Sequence, residues 1–138
     1  MLNIFLSVVC YDIWFYVSHI SLHTRTLWPI HREHHTKIEP IWCDTYVGHW
    51  FETIFQAIGT FMPMVVYSYT WLDVAIIIGL LNLRGLMRHD GRFVWLIGNH
   101  HLLHHKYPNY NFGEYWLDWL GGTKYPVDTE YRRGLLYL

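Results

Sequence analysis

Histidine spacing constrains this chain more than any other feature of its sequence. His19 and His23 form an H-x-x-x-H pair, and His31, His34 and His35 form H-x-x-H-H. His101, His104 and His105 repeat H-x-x-H-H, with His100 directly in front. Three short clusters therefore hold eight of the eleven histidines. Packing alone gives no reason to set imidazoles at three- and four-residue intervals. A neutral imidazole is a common nitrogen ligand for iron and zinc, and it binds only when deprotonated. The number of candidate ligands exceeds what one tetrahedral zinc uses, so it points to two metal ions. Any fold of this chain has to bring the clusters together.

Helical geometry sorts the candidates. Residues four apart lie on one face, so His19 and His23 reach the same region, and so do His31 and His35. His34 points about 100° away from that face, toward a second ion. His101, His104 and His105 repeat the pattern. His89, at the end of an apolar segment, is a further candidate ligand, whereas His49 and His100 are left open between ligating, supporting and interfacial roles. Asp12 precedes the first pair by seven and eleven residues, within roughly 20° of both in helical projection. An acid inside an apolar segment is a functional candidate. About 10 Å along the axis separates it from His19, too far for shared ligation. Two roles stay open for it: an acceptor behind a ligand, or a partner for another polar group between helices.

The rest of the sequence places these clusters at a membrane. The chain has 138 residues, enough for one domain spanning 1–138, and is 52% hydrophobic, 19% aromatic and 15% charged. Three apolar segments, at about 1–20, 50–69 and 71–88, are candidates to cross or enter a bilayer, which takes about 20 residues each. The first has neither a basic start nor a small-residue cleavage site, so it reads as a retained segment and not as a signal peptide. All ten lysines and arginines lie in 25–37, 84–92 and from 106 onward. If the chain crosses inward through 1–20 and out and back through 50–69 and 71–88, every basic residue falls on one face, which the positive-inside rule makes cytoplasmic. The histidine clusters fall on that face too. The expected fold is an all-α integral-membrane protein: about three membrane helices, a short far-side turn at 68–73, a cytoplasmic histidine-rich two-metal cap and a cytoplasmic tail over 99–138.

Several classes of function are not supported. A net charge of −1 implies no nucleic acid. Cys10 and Cys43 are too few for a disulfide framework and match no zinc spacing. H-E-x-x-H, the P-loop, G-x-G-x-x-G and the G-x-S-x-G elbow are absent, as is a repeated Glu-x-x-His set on helices.

The order H-x-x-x-H, H-x-x-H-H, H-x-x-H-H in a hydrophobic chain resembles the fatty acid hydroxylase superfamily, which includes sterol desaturases and sphingolipid hydroxylases. The likeness extends to the Asp12–His19 segment, to His31–His35 with Pro40 downstream, to His49-Trp-Phe-Glu52 and to His89-Asp-Gly91. It includes Asn111-Phe-Gly113 and Asp118-Trp-Leu-Gly-Gly-Thr123. Gly85 departs from it, standing where some members carry a further histidine. The resemblance implies a pair of irons, with zinc as the alternative, held by His19, His23, His31, His34, His35, His89, His101, His104 and His105, and Asp12 working at the site. It implies O2-dependent hydroxylation or desaturation of a fatty acyl, sphingoid or sterol lipid. No His-Pro-Gly-Gly haem module is present, so electrons would come from a separate donor such as cytochrome b5 and its reductase. The basic rim of Arg25, Arg32, Lys37, Arg88 and Arg92 is a candidate dock for it, although ordinary positive-inside charge is the better-favoured account of the rim. Apolar walls are expected from Met62–Tyr69 and Ile76–Leu83, and the endoplasmic reticulum membrane is the expected location in a eukaryotic cell. Rival readings are a zinc-dependent membrane hydrolase and a non-catalytic or fragmentary relative that keeps the motifs.

Overall fold

A computed structural model of the chain describes residues 1–136, whose regular elements are all helices, with no strand among the described residues. Helix α1 (Leu2–Leu22) carries no glycine or proline and runs unbroken for 21 residues. It is the one helix among the described residues that is long and apolar enough to cross a membrane. A tight turn, in which the Thr24 hydroxyl donates to the Ser21 carbonyl at 2.7 Å, leads to the short α2 (Trp28–His31) with Pro29 in its first turn. A 3₁₀ turn over His34–Thr36 and another over Trp42–Tyr46 carry the chain to α3.

The second expected membrane segment, 50–69, is not one helix. Helix α3 (Trp50–Phe61) stops after 12 residues and passes into a 3₁₀ turn over Met62–Val65. The reason is Pro63, which has no N–H to donate to the carbonyl four residues back. Helix α4 (Trp71–Arg88) is continuous over the third segment. It opens on a reciprocal cap: the Asp73 N–H donates to Thr70 Oγ1 at 3.2 Å, and the Thr70 N–H donates to Asp73 Oδ2 at 3.0 Å.

Both α3 and α4 lie on α1. A Cβ at Gly59 would sit 2.6 Å from the Trp14 Cβ and 3.0 Å from the Tyr11 Cα, so glycine lets the α3 backbone approach α1 closely. Beside it the Trp14 indole donates to the Phe55 carbonyl at 2.6 Å. The link between α3 and α4 is tied to the start of α1: Asn3 donates to the Ser68 carbonyl at 3.0 Å, and Ser7 to the Tyr69 hydroxyl at 3.1 Å. That turn is therefore at the opposite end of α1 from His19 and His23.

Residues 99–136, the segment expected to form the tail, are packed structure. Helix α5 (Val94–Ile97) lies beside α4, and α6 (His100–Lys106) and α7 (Tyr115–Gly121) fold over the histidine end of α1. Between α6 and α7 the chain is knotted around two buried side chains. Asp118 accepts from the Phe112 and Gly113 N–H groups at 2.8 Å each and from Thr123 Oγ1 at 2.6 Å. Asn111, in the left-handed region at φ 59°, donates to the His100 carbonyl and accepts from the Tyr125 N–H and the Tyr131 hydroxyl.

Burial runs opposite to that of an ordinary soluble domain. His19, His31, His104, Asn111, Asp118, Ser7 and Ser18 are among the largest fully buried side chains. Leu2, Phe5, Trp50, Ile54, Val65, Val66, Trp71 and Leu72 are exposed, Trp71 at 89%. A soluble monomer rarely leaves so much large apolar side chain uncovered.

Candidate metal centre

Four separate segments supply the histidines. The last turn of α1 gives His19, with His23 just beyond it; α2 and the turn after it give His31, His34 and His35; the end of α4 gives His89; and α6 gives His101, His104 and His105. The fold gathers their ring nitrogens into two groups. His19, His23, His31, His35 and His104 form one, and His34, His89, His101 and His105 form the other. Within each group the nitrogens lie within 4.8 Å of one another. His31 and His35 share a group and His34 joins the other; in α6 His101 and His105 share one and His104 joins the other. A single turn of chain thus feeds both groups, since residues one or three apart point to different sides.

The protonation of these rings can be read from their outer nitrogens. His19 Nδ1 is 2.5 Å from the Phe112 carbonyl, and His104 Nδ1 is 2.6 Å from that of Tyr110. His34 Nδ1 is 3.0 Å from the Val47 carbonyl, and His89 Nδ1 is 2.9 Å from that of Gly85. His31 Nδ1 is 3.0 Å from Glu52 Oε1. Each oxygen only accepts, so each Nδ1 carries the proton and donates, which leaves the Nε2 of the neutral ring bare. The bare nitrogens nonetheless face one another: His19 Nε2 and His31 Nε2 are 3.0 Å apart, as are His34 Nε2 and His89 Nε2. Two lone pairs at that distance repel unless a cation lies between them. The donor set therefore fits metal ions at both groups.

Electrostatics keep the rings neutral. Burial, with adjacent imidazoles adding to it, pulls the pKa of His23 down to about 3. His89 falls to about 3 and His105 to about 2, again from burial first and neighbouring histidines second. His35, His101 and His104 are lowered for the same reasons. Neutral imidazole is the form that ligates.

The candidates whose roles the sequence left open have other partners. Asp12 does not reach a histidine: its carboxylate takes both terminal nitrogens of Arg84, Nη1 at 3.2 Å and Nη2 closer. Arg84 and Arg88 both bind Glu114, and all four residues are buried. Arg88 thus leaves the basic rim, because its guanidinium is neutralised inside the protein. His100 pairs with Asp118 at 3.0 Å and joins neither group, and His49 caps α3 by accepting from the Phe51 N–H. Nothing in the sequence indicates that backbone carbonyls orient the rings. Glu52 does have a signal there, as a lone acid at the head of an apolar segment.

Between α3 and α4, floored by Tyr11, Phe15 and His19 of α1, lies a cavity of about 310 Å³ that touches both groups. Ile78, Leu81 and Phe61 are among its apolar walls, while Met62–Tyr69 take no part in them.

A family model described as fatty acid hydroxylase matches residues 4–123. A Delta(7)-sterol 5(6)-desaturase of Aspergillus fumigatus is 28% identical over 131 residues, covering 88% of this chain. The chain spans 37% of that relative's length. No solved structure matches the chain.

Proposed function

The chain belongs to the fatty acid hydroxylase family, and from that membership we propose that it is a membrane-bound two-iron oxygenase acting on a C–H bond of a lipid. Hydroxylation would follow RH + O2 + 2 e⁻ + 2 H⁺ → ROH + H2O. Desaturation consumes the same O2, electrons and protons, removes two hydrogens from adjacent carbons and yields two waters. The observation that carries the reading is the pair of histidine groups whose bare Nε2 atoms converge beside a cavity that Phe15, Phe61, Ile78 and Leu81 help to line.

The nine histidines of the two groups would hold the metals, and bound iron supplies the O2 activation that no side chain provides. One observation favours iron over tetrahedral zinc: five nitrogens converge in the first group, one more than a tetrahedral ion accepts.

The chain's own residues do the remaining work. Glu52 and the carbonyls of Phe112, Tyr110, Val47 and Gly85 hold Nδ1 protonated and fix the ring planes. The cavity walls receive the lipid and keep water from the oxidant. Helix α1 crosses the bilayer, the apolar outer faces of α3 and α4 lie in it, and the histidine end faces the cytoplasm, at the endoplasmic reticulum in a eukaryotic cell. Electrons come from a separate one-electron donor such as cytochrome b5 with its reductase.

The test is a lipid profile of cells expressing the chain with that donor system, against cells expressing His104→Ala/His105→Ala. A lipid heavier by one oxygen or lighter by two hydrogens, present only with the unaltered chain, is expected. Zinc in place of iron in the purified protein, or identical profiles with both proteins in the membrane, would overturn the reading.

A further inference from the structure

Trp28 stands between the first histidine group and the surface. Its ring centroid lies 5.1 Å from that of His23, 5.6 Å from His35 and 6.1 Å from His31. The residue is half-buried, so part of the indole reaches the surface. Phe112 also packs on this group, against His19, His23 and His104, but it is only 7% exposed. Trp28 thus joins three candidate ligands to the outside through one conjugated ring.

Its flanks carry charge. The Arg32 N–H donates to the Trp28 carbonyl at 2.8 Å, and the Trp28 N–H donates to that of Thr24 at 2.8 Å. Arg32 therefore lies one turn beyond Trp28 on the same ridge, and Arg25 stands just before it. Both arginines are exposed, and neither has an acidic partner among the described residues. Lys37, Arg92, Lys106 and Lys124 are by contrast paired with Asp44, Asp90, Glu130 and Asp128. Glu33 is the one acid in residues 24–33, so this patch keeps a net positive charge.

We propose that Trp28, with Arg25 and Arg32 beside it, is the docking and electron-entry point for an acidic one-electron donor protein. The inference rests on the oxygenase reading above and adds where its electrons enter. Opposite charge steers and orients the encounter. Each encounter oxidises the donor by one electron and reduces the metal pair by one. Two encounters supply the two electrons of a turnover, and the indole serves as a bridge that ends unchanged.

The experiment mixes the iron-loaded full chain with reduced soluble cytochrome b5 domain and follows reoxidation of the haem by stopped flow. Trp28→Leu is expected to slow reoxidation severalfold while iron content and the rate of reduction by dithionite stay at wild-type values. Arg25→Glu/Arg32→Glu is expected to weaken binding of the same haem domain to the metal-free chain by about tenfold and to flatten its salt dependence. If Trp28→Leu loses iron, Trp28→Met, which fills the site without a conjugated ring, is read in its place. Wild-type reoxidation in the Trp28 variant, or unchanged binding after charge reversal, would overturn the proposal. So would a wild-type chain that dithionite reduces and the haem domain does not. A wild-type chain that holds no iron would instead sink the oxygenase reading.

Discussion

At His31 one ring nitrogen faces Glu52 and the other faces the first metal group, so the two contacts are coupled. Glu52→Ala removes the acceptor without touching a ligand, and a loss of about 10- to 100-fold in metal affinity is expected, measured by competition with a chelator. Glu52→Gln keeps an oxygen acceptor and should lose less. Protons compete for the same nitrogens. His23 and His89 titrate near 3 in the fold against 6.5 in an unfolded chain. Between those values the unfolded state binds protons that the folded state refuses. Stability of the metal-free chain should therefore be flat above pH 6.5 and fall as pH drops toward 3, by at most about 1.4 kcal/mol per pH unit for each such histidine. Denaturant midpoints at about pH 7.5 and about pH 5, on either side of the unfolded value, check this; equal midpoints would contradict it. The partition of H-x-x-H-H between two sides was legible in the sequence because it is a property of one turn of chain. The acceptors of His19, His104 and His34 were not, because the Phe112 and Tyr110 carbonyls are aimed by how the loop between α6 and α7 closes over α1, and the Val47 carbonyl by the turn before α3.

Among the elements, α1 and α4 are joined by charge. Asp12 and Arg84 are both buried, and removing one partner leaves the other as an uncompensated charge. Arg84→Met is expected to cost about 3–5 kcal/mol, and Asp12→Leu/Arg84→Met to recover much of that loss. Denaturation of the two variants in detergent measures the difference, and a double variant no better than the single one would refute a pairwise origin. Asp12 stood out in the sequence as an acid in an apolar helix, yet its partner lies 72 residues away and periodicity carries no information about it. Helix α3 is the converse case. Its apolar run to residue 69 read as one span, and a single imino acid at 63 ended it after 12 residues.

Over the whole molecule, buried polar groups are connected into one support for the site. Asp118 holds the Phe112 and Gly113 amides, Thr123 and His100 in place, and Phe112 in turn presents its carbonyl to His19. Asp118→Asn turns one of the two acceptor oxygens into an NH2 donor, so two of the four groups that Asp118 holds lose their acceptor. It should lower metal affinity by about tenfold or more, although neither the native carboxylate nor the amide replacing it belongs to a histidine group. Unchanged affinity would reduce the knot to a local turn. The all-helical class and the meeting of distant histidine clusters were legible because apolar runs and ligand spacing are local patterns. The packing of residues 99–136 was not, since it depends on buried hydrogen bonds that read in sequence as scattered polar residues.

Each histidine group draws on α6 as well as on elements far earlier in the chain. During synthesis neither group is complete until residue 105 has left the ribosome and folded back on α1. A chain stalled before that point carries both histidine groups incomplete, so metal uptake is expected late in synthesis. The meeting of the histidines marks the arrival of α6.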